Sequence, residues 1–295
     1  MNAPGRVVQG ESLDVLSGIP DGSIDLVYVD PPFNTGKTRS HARIQVKASV
    51  DGTRTGFGGR SYSVTQGVTR SYEDAFDDYS AWLEPRMVEV HRVLAPSGSL
   101  YLHVDYREVH YCKVMLDRVF GRANFVNEVI WAYDYGGRGK RRWAAKHDNI
   151  LFYAREAGSH VFNLDEVERI PYMAPGLVTP EKAERGKLPT DTWWHTIVPT
   201  QGSERTGYPT QKPLGIVSRV VRASSPPGGT VLDFFCGSGT TAVAAHQSGR
   251  RFIVADQSDQ AIAVTGERLG ALGISYELEK LPSTDADAYS QDRIS

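Results

Sequence analysis

The chain has 295 residues, 40% hydrophobic and 23% charged, a composition typical of globular proteins and long enough for one large α/β domain with insertions or two small domains. The formal net charge of −2 gives no argument for a nucleic-acid partner, so any basic surface must be local. Two cysteines, Cys112 and Cys236, exclude a disulfide framework and a cysteine metal cluster, and we expect no metal site. No segment reaches the ~20 apolar residues of a membrane span, and the N-terminus lacks an apolar signal core. We therefore expect a cytoplasmic protein.

The first informative stretch is YVDPPFNTGK, where an apolar run, Ile24–Val29, ends at Asp30. The run predicts a buried strand. Pro31 and Pro32 have fixed φ and no N–H, so their carbonyls project rigidly, and Phe33 adds a flat apolar ring. A carboxylate, a fixed carbonyl and an aromatic ring suit a planar amino-bearing ring such as a nucleobase. The alternative is a plain strand exit with a solvated or helix-capping Asp30.

The next segment, residues 37–70, is rich in Gly, Ser, Thr and Arg and contains few large apolar side chains. It holds seven basic residues against one acidic residue, Asp51. The basic residues are Lys37, Arg39, Arg43, Lys47, Arg54, Arg60 and Arg70. We interpret this segment as a mobile basic loop, with a solvated charged loop as the alternative.

Helical and strand patterns alternate along the rest of the chain. YSAWLEPRMVEVHRVL, LGIVSRVVRAS and TTAVAAHQSG predict helices. Strands are predicted at Ser99–Val104, Glu128–Tyr133, Asn149–Tyr153, Thr230–Phe235 and Arg251–Ala255. This alternation indicates an α/β fold, with a mostly parallel sheet and helices on both of its faces.

Two irregular stretches interrupt the pattern. GGRGKRRWAAKH (Gly136–His147) contains five basic residues, no acidic residue and Trp143. Residues 155–200 hold five prolines, and there we interpret Trp193, Trp194 and His195 as packing or interface residues in preference to base readers. From about Glu279 the chain is polar and predicts a loose tail.

A glycine-rich turn lies in GTVLDFFCGSGTTAVAA, where a strand leads through Gly237 and Gly239 into a helix beginning at about Thr240. The next strand ends in Asp256, about twenty residues on, where an acid accepts hydrogen bonds from a ribose diol. A third glycine at the dinucleotide spacing is absent. The pattern therefore favours an adenosine cofactor without a pyrophosphate, such as S-adenosylmethionine; an ordinary strand-turn-helix is the alternative.

Together these motifs resemble the beta class of S-adenosylmethionine-dependent DNA amino-methyltransferases. The similar segments cover most of the chain: GESLDVLSGIPDGSIDLVYVDPPFNTG, HDNILFYAR and GYPTQKPLGIVSRVVRASSPPGGTVLDFFCGSGTTAVAAHQSGRRFIVAD. A catalytic motif that precedes the cofactor turn matches the permuted order of that class. The resemblance implies a Rossmann-like class I methyltransferase fold, permuted, with small irregular target-recognition insertions.

The resemblance also assigns site residues. It gives the target base and its amino group to Asp30, Pro31, Pro32 and Phe33. It gives the methionine part of the cofactor to Asp233, Phe235, Cys236, Gly237, Ser238, Gly239 and Thr240. It gives the ribose to Asp256, and the methionine carboxylate end to Thr210, Gln211 and Lys212. Two residues depart from the family pattern: Phe234 stands where proline is common, and Asp256 replaces the commoner glutamate.

The implied domain organisation and partners follow. Residues 1–36 and 71–154 form the catalytic half, 37–70 the basic mobile loop, 134–200 the target-recognition region, 201–278 the cofactor-binding half and 279–295 the loose tail. The implied partner is double-stranded DNA, with its target base flipped out. The residues expected to contact DNA are Lys37, Arg39, Arg43, Lys47, Arg54, Arg138, Lys140, Arg141, Arg142 and Lys146. A homodimer and a cognate restriction endonuclease are further expected partners, and a membrane is not.

The expected reaction is direct methyl transfer to an exocyclic amine. Adenine N6 is favoured over cytosine N4, because N4 enzymes of this family more often carry serine at the position of Asp30. A thiolate at Cys236 is disfavoured, since methylation of a ring carbon usually uses a Pro-Cys dipeptide. The alternatives are an RNA or protein-amide methyltransferase, and a DNA-binding protein without activity.

Overall fold

The structure, a computed structural model, describes residues 5–34, 37–48, 54–55, 61–74, 76, 78–137, 139–199 and 202–282. For 37–48, 54–55 and 61–74 it describes the backbone alone. The chain divides into two compact units. The larger unit comprises the described parts of residues 1–31 and 80–295, and the smaller unit those of residues 32–79.

Twelve strands and seven α-helices are formed by the described residues. The strands are β1 Gly5–Gln9, β2 Ile24–Val29, β3 Lys37–Ala48, β4 Arg54–Thr55, β5 Ser61–Asp74, β6 Leu94–Asp105, β7 Phe125–Ala132, β8 His147–Ala154, β9 Thr192–Trp194, β10 Thr230–Asp233, β11 Arg251–Asp256 and β12 Tyr276–Lys280. The helices are α1 Ser12–Ser17, α2 Tyr79–Val93, α3 Val109–Leu116, α4 Pro180–Arg185, α5 Leu214–Ser224, α6 Thr240–Gln247 and α7 Asp259–Ala271.

The larger unit is built on a nine-stranded sheet in the order β12-β1-β11-β10-β2-β6-β8-β7-β9. All neighbouring strands are parallel except β8, which runs antiparallel to both β6 and β7. The ends of β2, β6, β7, β10 and β11 therefore meet at one edge, called here the carboxyl edge. Open α/β sheets bind their ligands at this edge. The predicted α/β class with a mostly parallel sheet is confirmed.

Both faces of the sheet are covered at its centre. Leu26 and Tyr28 of β2 share a core with buried side chains of α5, α6 and α7, including Val217. Val27 and Val29 point to the opposite face, because side chains alternate along a strand, and they are fully buried as well. A strand that is buried on both faces has a continuous run of apolar residues, and this is why the sequence predicts β2 correctly.

The predicted strands of the larger unit are present with small shifts. The prediction for Ile24–Val29 agrees with β2, whereas the strand predicted at Thr230–Phe235 ends at Asp233, where the glycine turn begins. β12 occupies the first two residues of the predicted tail because it pairs with β1 along the sheet margin. Residues 281 and 282 of that tail are described and follow β12, whereas residues 283–295 lie outside the described residues.

The smaller unit corrects the expectation of a loop at residues 37–70. Its sheet has the order β3-β5-β4, with antiparallel pairing from Lys37 opposite Asp74 to Ala48 opposite Tyr62. Thr and Val recur in β5, and such residues favour strands once a partner strand is available. The mobility of this segment remains a prediction.

No helix in the described part of the chain combines the length and the apolar character that crossing a membrane requires.

Adjacent residues of α2 test the buried face of that helix. Met87 is fully buried, whereas Val88 is half exposed. We expect Met87→Ala to lower the free energy of unfolding by about 2–5 kcal/mol, since it removes buried methylenes and leaves a cavity. Val88→Ala, the control, should change it by less than about 0.5 kcal/mol. Urea unfolding followed by circular dichroism measures both, and equal losses would contradict this assignment of faces.

Candidate active site

Asp30 stands at the carboxyl edge, directly after β2 and between β10 and β6 in the strand order. The apolar run before it forms the buried strand, and Pro31, which has no N–H to donate to a ladder, follows it. Pro31 is itself buried. The chain thus leaves the sheet with a carboxylate and a fixed carbonyl at the edge where ligands bind.

Asp30 is paired with a residue far along the chain. Its Oδ2 accepts a hydrogen bond from Lys212 Nζ, and the two side chains are only 15% and 11% exposed. Each charge offsets part of the cost of burying the other. The second oxygen, Oδ1, is buried and has no hydrogen-bond partner among the described residues. A buried acceptor without a donor is rare in native proteins, and it is what an incoming N–H group would satisfy.

The glycine turn between β10 and α6 has the backbone shape that its sequence predicts. Gly237 has φ 50° and Gly239 has φ 71°, values that side chains disfavour. A Cβ on Gly239 would lie 2.8 Å from Thr265 Cγ2, and one on Gly237 would lie 3.0 Å from Tyr208 Cε1. Close approach by Thr265 and Tyr208 thus adds a steric reason for both glycines.

Asp256, at the end of β11, holds this turn. Its Oδ2 accepts from Gly237 N at 3.0 Å, and its Oδ1 accepts from Ser258 N at 2.9 Å, just before α7. Burial raises the pKa of Asp256. Each carboxylate oxygen keeps a further lone pair, so these bonds leave room for a ribose diol.

The hydroxyls of Thr240 and Thr241 are engaged in hydrogen bonds inside the protein. Thr240 Oγ1 donates to the Lys212 carbonyl at 3.2 Å, and Thr241 Oγ1 donates to Asp233 Oδ2 at 2.6 Å. Gly239 occupies the N-cap position and provides no side-chain cap. Thr240 thereby connects the glycine turn to the residue that pairs with Asp30.

Asp233 is the most deeply buried acid of the site, with 3% of its surface exposed. Its Oδ1 accepts from Phe235 N at 3.0 Å. Burial raises the pKa of Asp233 to about 7, despite the lowering effect of its hydrogen bonds, and nearby Asp30 and Asp256 raise it further. The three acids therefore lie close enough at the carboxyl edge to affect one another.

The segment before α5 places its three predicted residues differently. Gln211 accepts from Thr206 N at 2.8 Å and donates to the Glu204 carbonyl at 2.7 Å, so both ends of its amide hold the segment together. Lys212 reaches Asp30, and Thr210 is partly exposed. Among the described residues, Lys212 is the one of these three that forms hydrogen bonds with other predicted site residues.

A buried polar chain near Asp30 was missed by the sequence reasoning. Tyr28 Oη lies 2.8 Å from His103 Nδ1, and His103 Nε2 lies 3.2 Å from Asp148 Oδ2. Tyr133 Oη donates to Asp148 Oδ1 at 3.1 Å. The chain joins β2, β6 and β8 and reaches the residue after β7. Its one signal in the sequence is a histidine within an apolar strand.

A family model described as DNA methylase, for N6 and N4 methyltransferases, matches residues 24–267. The chain belongs to this family. It is 29% identical over 288 residues to the DNA adenine methyltransferase YhdJ of Escherichia coli K12, covering 95% of this chain and 87% of that protein. It is 28% identical over 261 residues to the type II methyltransferase M.ScaI of Streptomyces caespitosus, covering 82% and 73%. The fold resembles the cytosine-N4-specific PvuII DNA methyltransferase, with TM-score 0.62, 16% identity and coverage of 91% and 87%.

The predicted activity and cofactor are confirmed: the chain is an S-adenosylmethionine-dependent DNA amino-methyltransferase. The site suits that cofactor. Acids converge at the glycine turn, which favours a sulfonium and an ammonium group over the phosphates of a dinucleotide. Solved structures of this fold include complexes with S-adenosylmethionine.

Cys236 of the methyltransferase lies inside the glycine turn and is buried. Its Sγ lies 3.8 Å from Thr265 Oγ1. Burial raises the pKa of this thiol well above its usual value. A neutral thiol is a poor nucleophile, and this agrees with a transfer that forms no covalent bond to the enzyme.

Pro32 and Phe33 belong to the smaller unit of the methyltransferase, and both are partly buried. The next residue, Asn34, has φ 51°, and its Oδ1 accepts from Phe76 N at 2.9 Å. This bond ties the beginning of the smaller unit to its end. The stacking role of Phe33 remains a prediction.

The residues expected to contact DNA are only partly described. Lys140, Arg141 and Arg142 are exposed, and Lys146 donates to the Gly136 carbonyl at 2.7 Å. Arg138 lies outside the described residues. Lys37, Arg39, Arg43 and Lys47 fall on β3 and Arg54 on β4, and their side chains lie outside the described part.

The pKa of Asp233 predicts a pH-dependent stability. An unfolded Asp ionises near pH 4, whereas folded Asp233 keeps its proton to about pH 7. The stabilisation is therefore complete below pH 4 and is lost as the pH rises to 7. From pH 5 to 7.5 the free energy of unfolding should fall by about 2 kcal/mol relative to Asp233→Asn, which carries no such proton. Urea titrations of both proteins measure this, and parallel pH curves would contradict it.

Proposed function

We propose that this DNA methyltransferase methylates adenine N6. Asp30 and the Pro31 carbonyl would each accept a hydrogen bond from one of the two N–H groups of the adenine amine. The observation that carries the proposal is the buried Oδ1 of Asp30, which has no hydrogen-bond partner among the described residues. Hydrogen bonds from the amine draw its nitrogen toward tetrahedral geometry and expose the lone pair. S-adenosylmethionine would supply the electrophilic methyl group to that lone pair: as the N–C bond forms the S–C bond breaks, the sulfur leaves as a neutral thioether, and the methylated amine releases one proton to solvent.

Lys212 supports this role for Asp30. By holding Oδ2, its ammonium group fixes the carboxylate plane and leaves Oδ1 as the acceptor. The Lys212 carbonyl accepts from Thr240 at the glycine turn. Catalysis of this kind rests on positioning and on fixed dipoles more than on acid–base chemistry.

The cofactor is proposed to lie along the glycine turn. Asp256 would hold the ribose through its remaining lone pairs. The methionine part would contact the turn, with Asp233, Phe235, Cys236, Gly237, Ser238, Gly239 and Thr240 as its neighbours. Thr210 and Lys212 would lie toward the methionine carboxylate, and Gln211 would support that segment through its internal bonds.

The choice of adenine rests on Asp30 and on the adenine specificity in the name of YhdJ. Cytosine N4 is the alternative, since both amines offer two protons to the same pair of acceptors. The target base is proposed to flip out of a DNA duplex and stack on Phe33, because Asp30 cannot reach a base inside the helix. Lys140, Arg141 and Arg142 would contact the phosphates.

Further partners and a location are also proposed. A cognate restriction endonuclease follows from the similarity to M.ScaI, which is named a type II methyltransferase. Exposed apolar side chains at Tyr111 and Val114 of α3 support a homodimer, which light scattering would detect. We also propose the bacterial cytoplasm as the location, since the substrate is DNA.

Replacing Asp30 tests the reaction. With tritiated S-adenosylmethionine and duplex DNA, we expect Asp30→Ala to lower kcat about 100-fold or more, the loss typical when one polar group of this kind is removed. Asp30→Asn, which keeps a partner for Lys212, should fold normally and show a large loss too. Cofactor binding, measured by calorimetry, should persist in both.

Asp21→Asn is the matched control, since Asp21 lies on the surface in an ion pair with Arg92 and its side chain is 77% exposed. It should keep wild-type activity. Digestion of the labelled DNA to nucleosides should yield N6-methyl-2′-deoxyadenosine; N4-methyl-2′-deoxycytidine would overturn the choice of base. Label in RNA or protein alone, or in DNA at wild-type rate with Asp30→Ala, would overturn the proposal.

Salt dependence tests the phosphate contacts. Each lost contact should reduce the slope of log K against log salt concentration by about 1. We expect this for Arg142→Ala and not for Arg222→Ala, an exposed arginine on α5. Fluorescence anisotropy with a labelled duplex measures the slope. Identical slopes for the two variants would remove Arg142 from the DNA interface.

A further inference from the structure

The loop between β7 and β8, residues 133–146, lies at the carboxyl edge. β7 runs in the same direction as β2 and β6, because β8 is antiparallel to both of its neighbours. The chain therefore leaves β7 at the edge where Asp30 stands. In the strand order β2-β6-β8-β7 the loop begins three strands from β2, at β7, and ends two strands from it, at β8, or about 10–15 Å away at the usual spacing. A duplex is wide enough to contact both places.

The base of this loop is held firmly. Tyr133 N donates to the Lys146 carbonyl at 2.9 Å, and Lys146 Nζ donates to the Gly136 carbonyl at 2.7 Å. Below it, the buried chain through Tyr133, Asp148, His103 and Tyr28 reaches β2 two residues before Asp30. The loop is thus fixed to the strand that carries the catalytic carboxylate.

Trp143 is the most exposed large hydrophobic side chain in the described part of the chain, with 97% of its surface accessible. It directly follows Lys140, Arg141 and Arg142, all exposed. A single exposed apolar residue is common on protein surfaces, but Trp143 stands out because three exposed cations immediately precede it. Cations next to an aromatic ring are the combination that binds phosphates and stacks on bases.

We infer that Trp143 enters the duplex and stacks in the space that the flipped target base leaves. The inference rests on the proposed methylation of a flipped base. Apolar side chains inserted between base steps are a known way to hold a distorted duplex, and stacking on an indole tolerates any sequence. The Trp143 ring replaces the stacking that the neighbouring bases lose, and the adjacent cations hold the backbone.

Trp194 provides a matched comparison. It is 76% exposed, lies on β9 and pairs with Ala132 at the end of β7. Its neighbours in the chain are Trp193 and His195, and it has no adjacent run of cations. It tests whether the loss of any exposed tryptophan gives the same effect.

The experiment compares two duplexes that contain the site found by sequencing DNA methylated by the wild-type enzyme. One is fully paired, and the other has an abasic site opposite the target base, so that flipping breaks no base pair. On the paired duplex Trp143→Ala should lower kcat/KM about 10-fold or more, the size of one lost base–aromatic stack. On the abasic duplex the loss should be under about 3-fold, because an unpaired base flips more easily.

The other variants distinguish a loss of insertion from a loss of phosphate contacts and from a loss of folding. Trp143→Phe keeps a ring and should retain most of the activity on both duplexes, while Trp194→Ala should keep the wild-type ratio between them. Arg142→Ala should weaken the binding of both duplexes by the same factor. Equal losses on both duplexes for Trp143→Ala, or no loss on either, would overturn the insertion. If the wild-type enzyme methylates no DNA, so that no site can be found by sequencing, the proposed reaction itself is wrong, and this role falls with it.

Discussion

The ion pair between Lys212 and Asp30 is the interaction on which the arrangement of the site depends. The two residues are 182 positions apart, and both are largely buried, so each charge offsets part of the cost of burying the other. The pair joins the end of β2 to the segment before α5, and the Lys212 carbonyl joins that segment to Thr240 at the glycine turn. A permuted chain, in which the catalytic motif precedes the cofactor turn, needs such a connection because the two halves are distant in sequence.

Three acids lie close together at the carboxyl edge, and the electrostatic repulsion between them is reduced in a different way for each. Asp30 is neutralised by Lys212 and keeps one oxygen without a partner. Asp256 accepts two backbone N–H bonds, and Asp233 has a pKa raised by burial to about 7. Acids that were all ionised and unpaired would repel one another strongly in a buried site. The result is a site with limited negative charge that suits an amine and a sulfonium and disfavours phosphate.

The parts of the molecule that the sequence predicts well are those governed by local chemistry. β2 is a continuous apolar run because both of its faces are buried, and Gly237 and Gly239 mark a turn that side chains disfavour. Partners distant in the chain are harder to predict. Gln211 and Lys212 are adjacent, yet one bonds within its own segment and the other reaches Asp30. The strands β3 and β5 are polar, and only their pairing with each other distinguishes them from a loop.

The antiparallel strand β8 explains how one edge of the sheet serves two purposes. In a wholly parallel sheet the connection after β7 would cross to the opposite edge before the next strand began. Because β8 runs back directly, the loop 133–146 opens at the carboxyl edge, beside the chemistry. His103 and Asp148 then satisfy each other beneath that loop, where an unpaired polar group would be costly. The same buried chain that stabilises this part of the sheet therefore also fixes the position of the basic loop relative to Asp30.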